Sequence, residues 1–157
     1  MLQLSNILIV IGAYLVGSIP ASVWIGRIFY NTDIRNYGSG NAGATNTFRV
    51  LGKKPGIIVF IIDLMKGFLA VNLASLNSTL NSNPEAFLTM QLILGFAAII
   101  GHIFPLYVGF KGGKGVATLF GVILGINLIT ALIMAGIFFI ILFATRYVSL
   151  SSIIAGI

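Results

Sequence analysis

Long apolar stretches alternate with short polar ones along this chain. Apolar runs cover residues 4–29, 56–76 and 86–108, each near the ~20 residues an α-helix needs to cross a bilayer. A further run, 116–145, is too long for one ordinary crossing and reads as two short helices turning near Gly125-Ile126-Asn127. A sixth segment starts at about Ser151 and is still apolar at Ile157, so the chain reads as ending inside a helix. Residues 1–16 are apolar with no Lys or Arg ahead of them, which argues against a cleaved signal peptide and for a first membrane helix. The expected fold is an all-α integral membrane protein, a multi-span helical bundle of about five crossings plus the start of a sixth. Residues 1–157 would form one transmembrane domain, truncated at its C-terminal end.

Composition agrees with that pattern. Hydrophobic residues make up 58% of the 157 and charged residues only 8%, with mean hydropathy +1.07; soluble domains carry about a quarter charged residues. A net charge of +6 does not point to nucleic acid, because the basic residues gather in particular loops. With no cysteine, one histidine and three acids, disulfides, thiolate sites and a conventional metal cluster are excluded. No metal, no cofactor and no obligate protein partner is expected; the bilayer is the partner that composition implies.

The loops differ in charge. Arg27, Arg35, Arg49, Lys53 and Lys54 fall around the first loop, Lys111 and Lys114 in the third, and Arg146 after the fifth crossing. Residues 77–85 and the turn near Asn127 carry no basic residue. The positive-inside rule then puts the N-terminus outside and loops one, three and five in the cytoplasm. It also supports dividing 116–145, since a single crossing would carry Arg146 outside.

Loop three reads Gly109-Phe110-Lys111-Gly112-Gly113-Lys114-Gly115-Val116-Ala117-Thr118, two lysines among four glycines. Glycine lets successive N–H groups point into one concavity, and such nests bind anions. A helix beginning near Val116 would add its positive end to the same place. The alternative is a tight inter-helix turn whose lysines mark the cytoplasmic side. Loop one holds Gly38, Ser39, Gly40, Asn41, Gly43, Thr45 and Asn46, followed by Arg49. Small residues permit close backbone approach, the hydroxyls and amides are donors, and an arginine can fork onto two phosphate oxygens. Thr45 or Asn46 also suits a helix cap, and the whole segment can be read as a flexible polar loop.

Asp63 and Lys66 lie three residues apart inside the second crossing, on one helix face. Charges at that depth are costly unless paired or facing a wet cavity, so a structural ion pair is expected, with substrate contact as the alternative. His102 sits in Gly101-His102-Ile103-Phe104-Pro105, nine residues before Lys111. It suits either a structural hydrogen-bonder or a base for a hydroxyl proton. Arg146-Tyr147-Val148-Ser149-Leu150-Ser151-Ser152 offers an interface anchor and three serines that either cap helices or donate to phosphate. Two signatures are missing: there is no G-x-x-x-x-G-K-[ST], and the residue five after His102 is Tyr107, so there is no H-x-x-x-x-D pair.

Taken in order, the GSGNAGATN run with Arg49 and Leu51-Gly52-Lys53, the Asp63/Lys66-Gly67 pair, GHIFP before GFKGGKGVAT, and RYVSLSS resemble the bacterial membrane acyl-phosphate:glycerol-3-phosphate acyltransferases of the PlsY type. The resemblance spans almost the whole chain. It implies seven membrane helices in the intact protein, and transfer of a fatty acyl group from acyl phosphate to the 1-position of glycerol 3-phosphate. Lysophosphatidic acid and inorganic phosphate would be the products, without acyl-CoA or metal. It marks Ser39, Arg49, His102, Lys111, Lys114, Ser151 and Ser152 as site candidates. Lys111, Lys114 and the glycines of their turn (Gly112, Gly113, Gly115, with Thr118 beyond) are expected on acyl phosphate. Arg49 and Ser39, with Ser151 and Ser152, are expected on glycerol 3-phosphate; the two assignments are exchangeable. His102 would act as base or orient a phosphate. A phosphate-ester transporter is the competing class, but it calls for comparable polar motifs on the outer side, where the chain has Glu85 and a run of Asn and Ser.

Overall fold

The computed structural model describes residues 4–80 and 82–157, and every regular element among them is helical. The α-helices are α1 (Leu4–Gly17), α2 (Ala21–Tyr30), α3 (Ala44–Leu51), α4 (Lys53–Asn72), α5 (Pro84–Ile103), α6 (Val116–Ile126), α7 (Leu128–Thr145) and α8 (Val148–Ala155), with short 3-10 turns in the loops between them.

The first apolar run is not one straight helix. It breaks at Ser18-Ile19-Pro20 into α1 and α2, which bend by 40°. Proline has no N–H and disfavours a helical residue before it, so the ladder stops after Ser18 donates to the Tyr14 carbonyl at 2.8 Å. The Pro20 carbonyl restarts it by accepting Val23 and Trp24 N–H, both at 3.0 Å. Helix α4 begins at Lys53, three residues ahead of the apolar run, because Pro55 fits a first helical turn where no N–H is needed. Asn83 caps α5 by accepting the Ala86 N–H at 3.1 Å. That helix ends at Ile103 rather than 108, since Pro105 forbids its continuation.

The long run 116–145 divides where expected. Asn127 donates its N–H to Ile123 at 2.8 Å to close α6, and its side chain accepts Thr130 N–H at 2.9 Å to open α7. One residue therefore serves as stop and start. At 11 residues α6 is about 16 Å long and reaches roughly half of a ~30 Å hydrocarbon core. Three elements are long and apolar enough to cross a membrane, and α1 with α2 makes a fourth when the bent pair counts as one span.

Helix α4 is the centre of the bundle, packing on α6, α3, α5 and α1, while α1 packs along α5. Small residues allow this, as in membrane bundles generally: the main apolar cluster is Ala13, Ala70, Ala74, Met90, Leu94 and Ala98. Gly67 lies so close to α6 that a β-carbon there would stand 2.1 Å from the Thr118 carbonyl oxygen. Gly67→Val is therefore expected to push α4 and α6 apart and to cost at least the ~1–3 kcal/mol typical of overpacking, read as a lowered unfolding temperature in detergent. Helix α7 buries little, and Ile129, Ile140 and Phe143 project outward, an apolar surface suited to lipid.

Candidate active site

The two glycine-rich turns of the sequence meet in space. Loop three folds back on the end of α5, where Gly112 N–H donates to Ile103 carbonyl at 3.0 Å and Gly113 N–H to His102 carbonyl at 3.1 Å. Loop one then hangs on loop three through Ala42 N–H to Gly112 carbonyl at 3.3 Å. A chain ending its helix at a proline leaves carbonyls free, and here the returning glycine turn satisfies them. Gly113 has no spare room, since an added β-carbon would lie 2.2 Å from His102 Nε2 and 2.9 Å from the Ala42 carbonyl oxygen. Gly38 and Gly115, one in each loop, adopt left-handed backbone (φ +61° and +78°) that glycine accepts without cost.

Each turn feeds a helix N-terminus. Gly115 precedes α6, which begins at Val116 as expected. Gly43, rather than Thr45 or Asn46, holds the cap position of α3, because the helix starts at Ala44 and Thr47 N–H already bonds back to Gly43. The two joined loops thus each run directly into a helix N-terminus, the positive end of a helix dipole.

Arg35 is the clip that sequence reading missed. Its guanidinium forks onto Asp33 (Nε to Oδ1 3.0 Å, Nη2 to Oδ2 2.8 Å), and Nη1 donates across to the Val108 carbonyl at 2.8 Å. Asp33 also receives Arg35 N–H and Arg27 Nη2. The Arg35 fork is the main reason the Asp33 carboxyl stays well below the usual carboxylate range, and Asp33 in turn raises the Arg35 pKa. A carboxylate depressed on folding stabilises above its unfolded pKa, and that stability is lost as pH falls through the folded one. The clip is therefore constant between about pH 5 and about pH 8. Asp33→Asn is expected to make loop one several-fold more sensitive to proteolysis, equally at both ends of that range. The signal was the D-x-R spacing at 33–35, a local fork whose second partner, Val108, lies 73 residues away.

Below the turns lies a buried charged cluster. Lys66 Nζ is 2.8 Å from Asp63 Oδ1 and donates to the Ile19 carbonyl at 2.9 Å, at the α1–α2 break. His102 Nδ1 stands 3.5 Å from the same Asp63 oxygen. All three side chains are at least 95% enclosed.

The remaining candidates divide. Arg49, Ser39, Lys111 and Lys114 are exposed, and the three cations have no ion pair among the described residues. The Arg49 stem runs beside Gly38, where a β-carbon would be 3.4 Å from Arg49 Cδ. A cleft of about 440 Å³ between the loops brings together Gly40 and Lys111 with Asp33, Arg35, Asn36, Val108 and Gly109. Asn41 is half-buried and Thr45 exposed at the start of α3. Asn46, expected on substrate, is buried with its amide committed to protein. It donates to Ile34 and Tyr37 carbonyls at 3.0 and 3.1 Å and accepts Ser39 N–H at 2.9 Å, so it shapes the turn. Thr118 is fully buried in α6. Ser151 and Ser152 lie on α8, which packs on α7. Their hydroxyls bond within the chain, to Tyr147 at 2.8 Å and Ser149 at 2.9 Å.

A helical bundle of long apolar helices, with these two glycine-rich turns joined to one another, is a multi-pass integral membrane protein. The chain belongs to the glycerol-3-phosphate acyltransferase family, whose model matches residues 7–157, and it is of the PlsY type. It is similar to the glycerol-3-phosphate acyltransferase of Staphylococcus saprophyticus, at 51% identity over 152 residues, covering 96% of this chain and 75% of that one. The Staphylococcus aureus enzyme is 49% identical over 146 residues, 92% of this chain and 72% of its own. Among solved structures, the glycerol 3-phosphate form of the integral membrane acyltransferase PlsY matches with a TM-score of 0.86 at 42% identity, over 96% of this chain and 72% of that one. Its lysophosphatidic acid form matches at 0.81 and 40%, over 96% and 71%.

Proposed function

We propose that the protein transfers a fatty acyl group from acyl phosphate to the 1-hydroxyl of glycerol 3-phosphate at the cytoplasmic face of a bacterial plasma membrane. The observation that carries this reading is the Ala42–Gly112 junction, which sets two glycine-rich turns side by side with Arg49, Lys111 and Lys114 around them. Both reactants are phosphorylated, so two adjacent anion seats are what the chemistry needs. A donor whose leaving group is itself phosphate suits them, and the lysophosphatidic acid form of the related PlsY names the product such a transfer would leave.

The step balances without a covalent enzyme intermediate. The hydroxyl oxygen of glycerol 3-phosphate forms a bond to the acyl carbonyl carbon, and the bond from that carbon to the phosphate oxygen breaks with its electron pair. The hydroxyl proton ends on the released phosphate. An acyl phosphate is already activated, so catalysis rests on alignment of hydroxyl and carbonyl and on cationic and N–H stabilisation of developing charge. A thiol nucleophile is not required, and the chain has no cysteine.

The test uses protein in proteoliposomes with labelled glycerol 3-phosphate and either palmitoyl phosphate or palmitoyl-CoA. Labelled lysophosphatidic acid is expected with palmitoyl phosphate and not with palmitoyl-CoA. Activity with the thioester alone would contradict the donor assignment.

A further inference from the structure

We infer that Asp63, pinned by Lys66, is a positioning residue that sets the imidazole of His102 and, through it, the phosphate-binding turn at Gly113; this rests on the phosphate-seat reading above. The charged cluster and the turn are one continuous stack. Lys66 anchors on the Ile19 carbonyl at 2.9 Å and holds Asp63 Oδ1 at 2.8 Å, and that oxygen faces His102 Nδ1 at 3.5 Å. On its other edge the ring meets main chain: an added β-carbon on Gly113 would fall 2.2 Å from Nε2. The ring therefore supports the turn from beneath. Above it, the Gly113 position is bounded by the Ala42 carbonyl, which loop one brings in through its bond to Gly112.

Side chain and backbone of His102 act on the same two residues. Its carbonyl receives Gly113 N–H at 3.1 Å, while the carbonyl of Ile103 receives Gly112 N–H at 3.0 Å. The end of α5 is held independently by Tyr14, whose hydroxyl donates to the Phe104 carbonyl at 2.9 Å. With the backbone fixed there, the free variable is the tilt of the imidazole; its buried Nδ1 has no hydrogen-bond partner, and the Asp63 carboxylate at 3.5 Å is the charged group it faces. A ring only 5% exposed, with Asp63 on one nitrogen and glycine backbone at the other, acts on a ligand through the turn. That assigns His102 a supporting role and accounts for two buried charges whose retention costs several kcal/mol each before pairing.

Because the protein has one histidine, nitrogen-15 NMR in detergent micelles gives a single imidazole signal set, and the Gly113 amide reports the turn. Wild type is compared with Asp63→Leu/Lys66→Met, with Asp63→Asn, with Gly113→Ala, and with the triple combination. Each is titrated with glycerol 3-phosphate and unfolded by heat. The Leu/Met pair removes both charges while keeping volume, so it is expected to unfold near the wild-type temperature. Asp63→Asn keeps the shape but leaves Lys66 buried without its carboxylate, so it is expected to unfold at a lower temperature than the Leu/Met pair and is read only under conditions where it is folded. In both, the imidazole and Gly113 amide signals are expected to move and the dissociation constant for glycerol 3-phosphate to rise about tenfold, about 1.4 kcal/mol of coupling lost between Asp63 and the turn. Gly113→Ala is expected to match that rise, and the triple variant to add little, since all act through one turn. An unmoved Gly113 amide, binding within about twofold of wild type, or effects that multiply would overturn the positioning role. A wild type that does not bind glycerol 3-phosphate would contradict the functional reading instead, and the Gly113 amide would still decide the coupling to Asp63.

Discussion

Arg49→Ala is expected to lower kcat/KM for acyl transfer by about 100-fold, and Lys114→Ala by a similar factor. Each residue stands exposed beside a glycine turn with no ion pair among the described residues, so its charge is available to a ligand. Hydrogen bonds to charged groups contribute about 1.5–3 kcal/mol, which converts to one to two decades in rate, and a phosphate accepts a forked pair from arginine. Arg49→Lys separates charge from geometry. Lysine restores the charge but not the planar fork, so it is expected to recover only part of the loss. Initial rates with each substrate varied in turn read the effect, and a change in KM for one phosphate alone identifies which seat the residue serves. Near-wild-type kinetics in both alanine variants would remove the cationic seats from the account.

Lys66→Ala is expected to be the most destabilising single change, by roughly 3–5 kcal/mol, because it leaves a carboxylate buried without its cation. Asp63 and Lys66 are each 3% exposed at the side chain and bond at 2.8 Å, and α4 is the helix on which α1, α3, α5 and α6 all rest. Thermal unfolding in detergent measures the loss. The companion Asp63→Leu/Lys66→Met is expected to recover most of the stability, since two neutral side chains of similar volume remove the desolvation cost on both sides. If Lys66→Ala unfolded like wild type, the pair would not be holding the bundle.

Much of this architecture could be read from residue order, and the places where it could not share a cause. Apolar length located α4, α5 and α7, and Asn127 marked the division between α6 and α7 because its capping chemistry is local. The glycine turn leading into Val116 was legible for the same reason. The bend at Pro20 was masked by continuous hydropathy, which measures solubility in lipid and not the loss of one N–H. Asn46 looked like a ligand because an amide among glycines suits either role; only the folded loop places Ile34 and Tyr37 carbonyls around it. Arg35 reaches Val108 and His102 meets Gly113 through tertiary contact.

The most direct test of the shared pocket is the side of the membrane on which each turn lies. The protein has no cysteine, so single replacements at Asn36 in loop one and Phe110 in loop three, both exposed, can be labelled with an impermeant maleimide in sealed vesicles of known orientation. The account predicts that both react from the cytoplasmic side and that both are protected from the outer side. Labelling of the two positions from opposite sides would contradict it, because turns separated by a bilayer cannot hold two phosphates together.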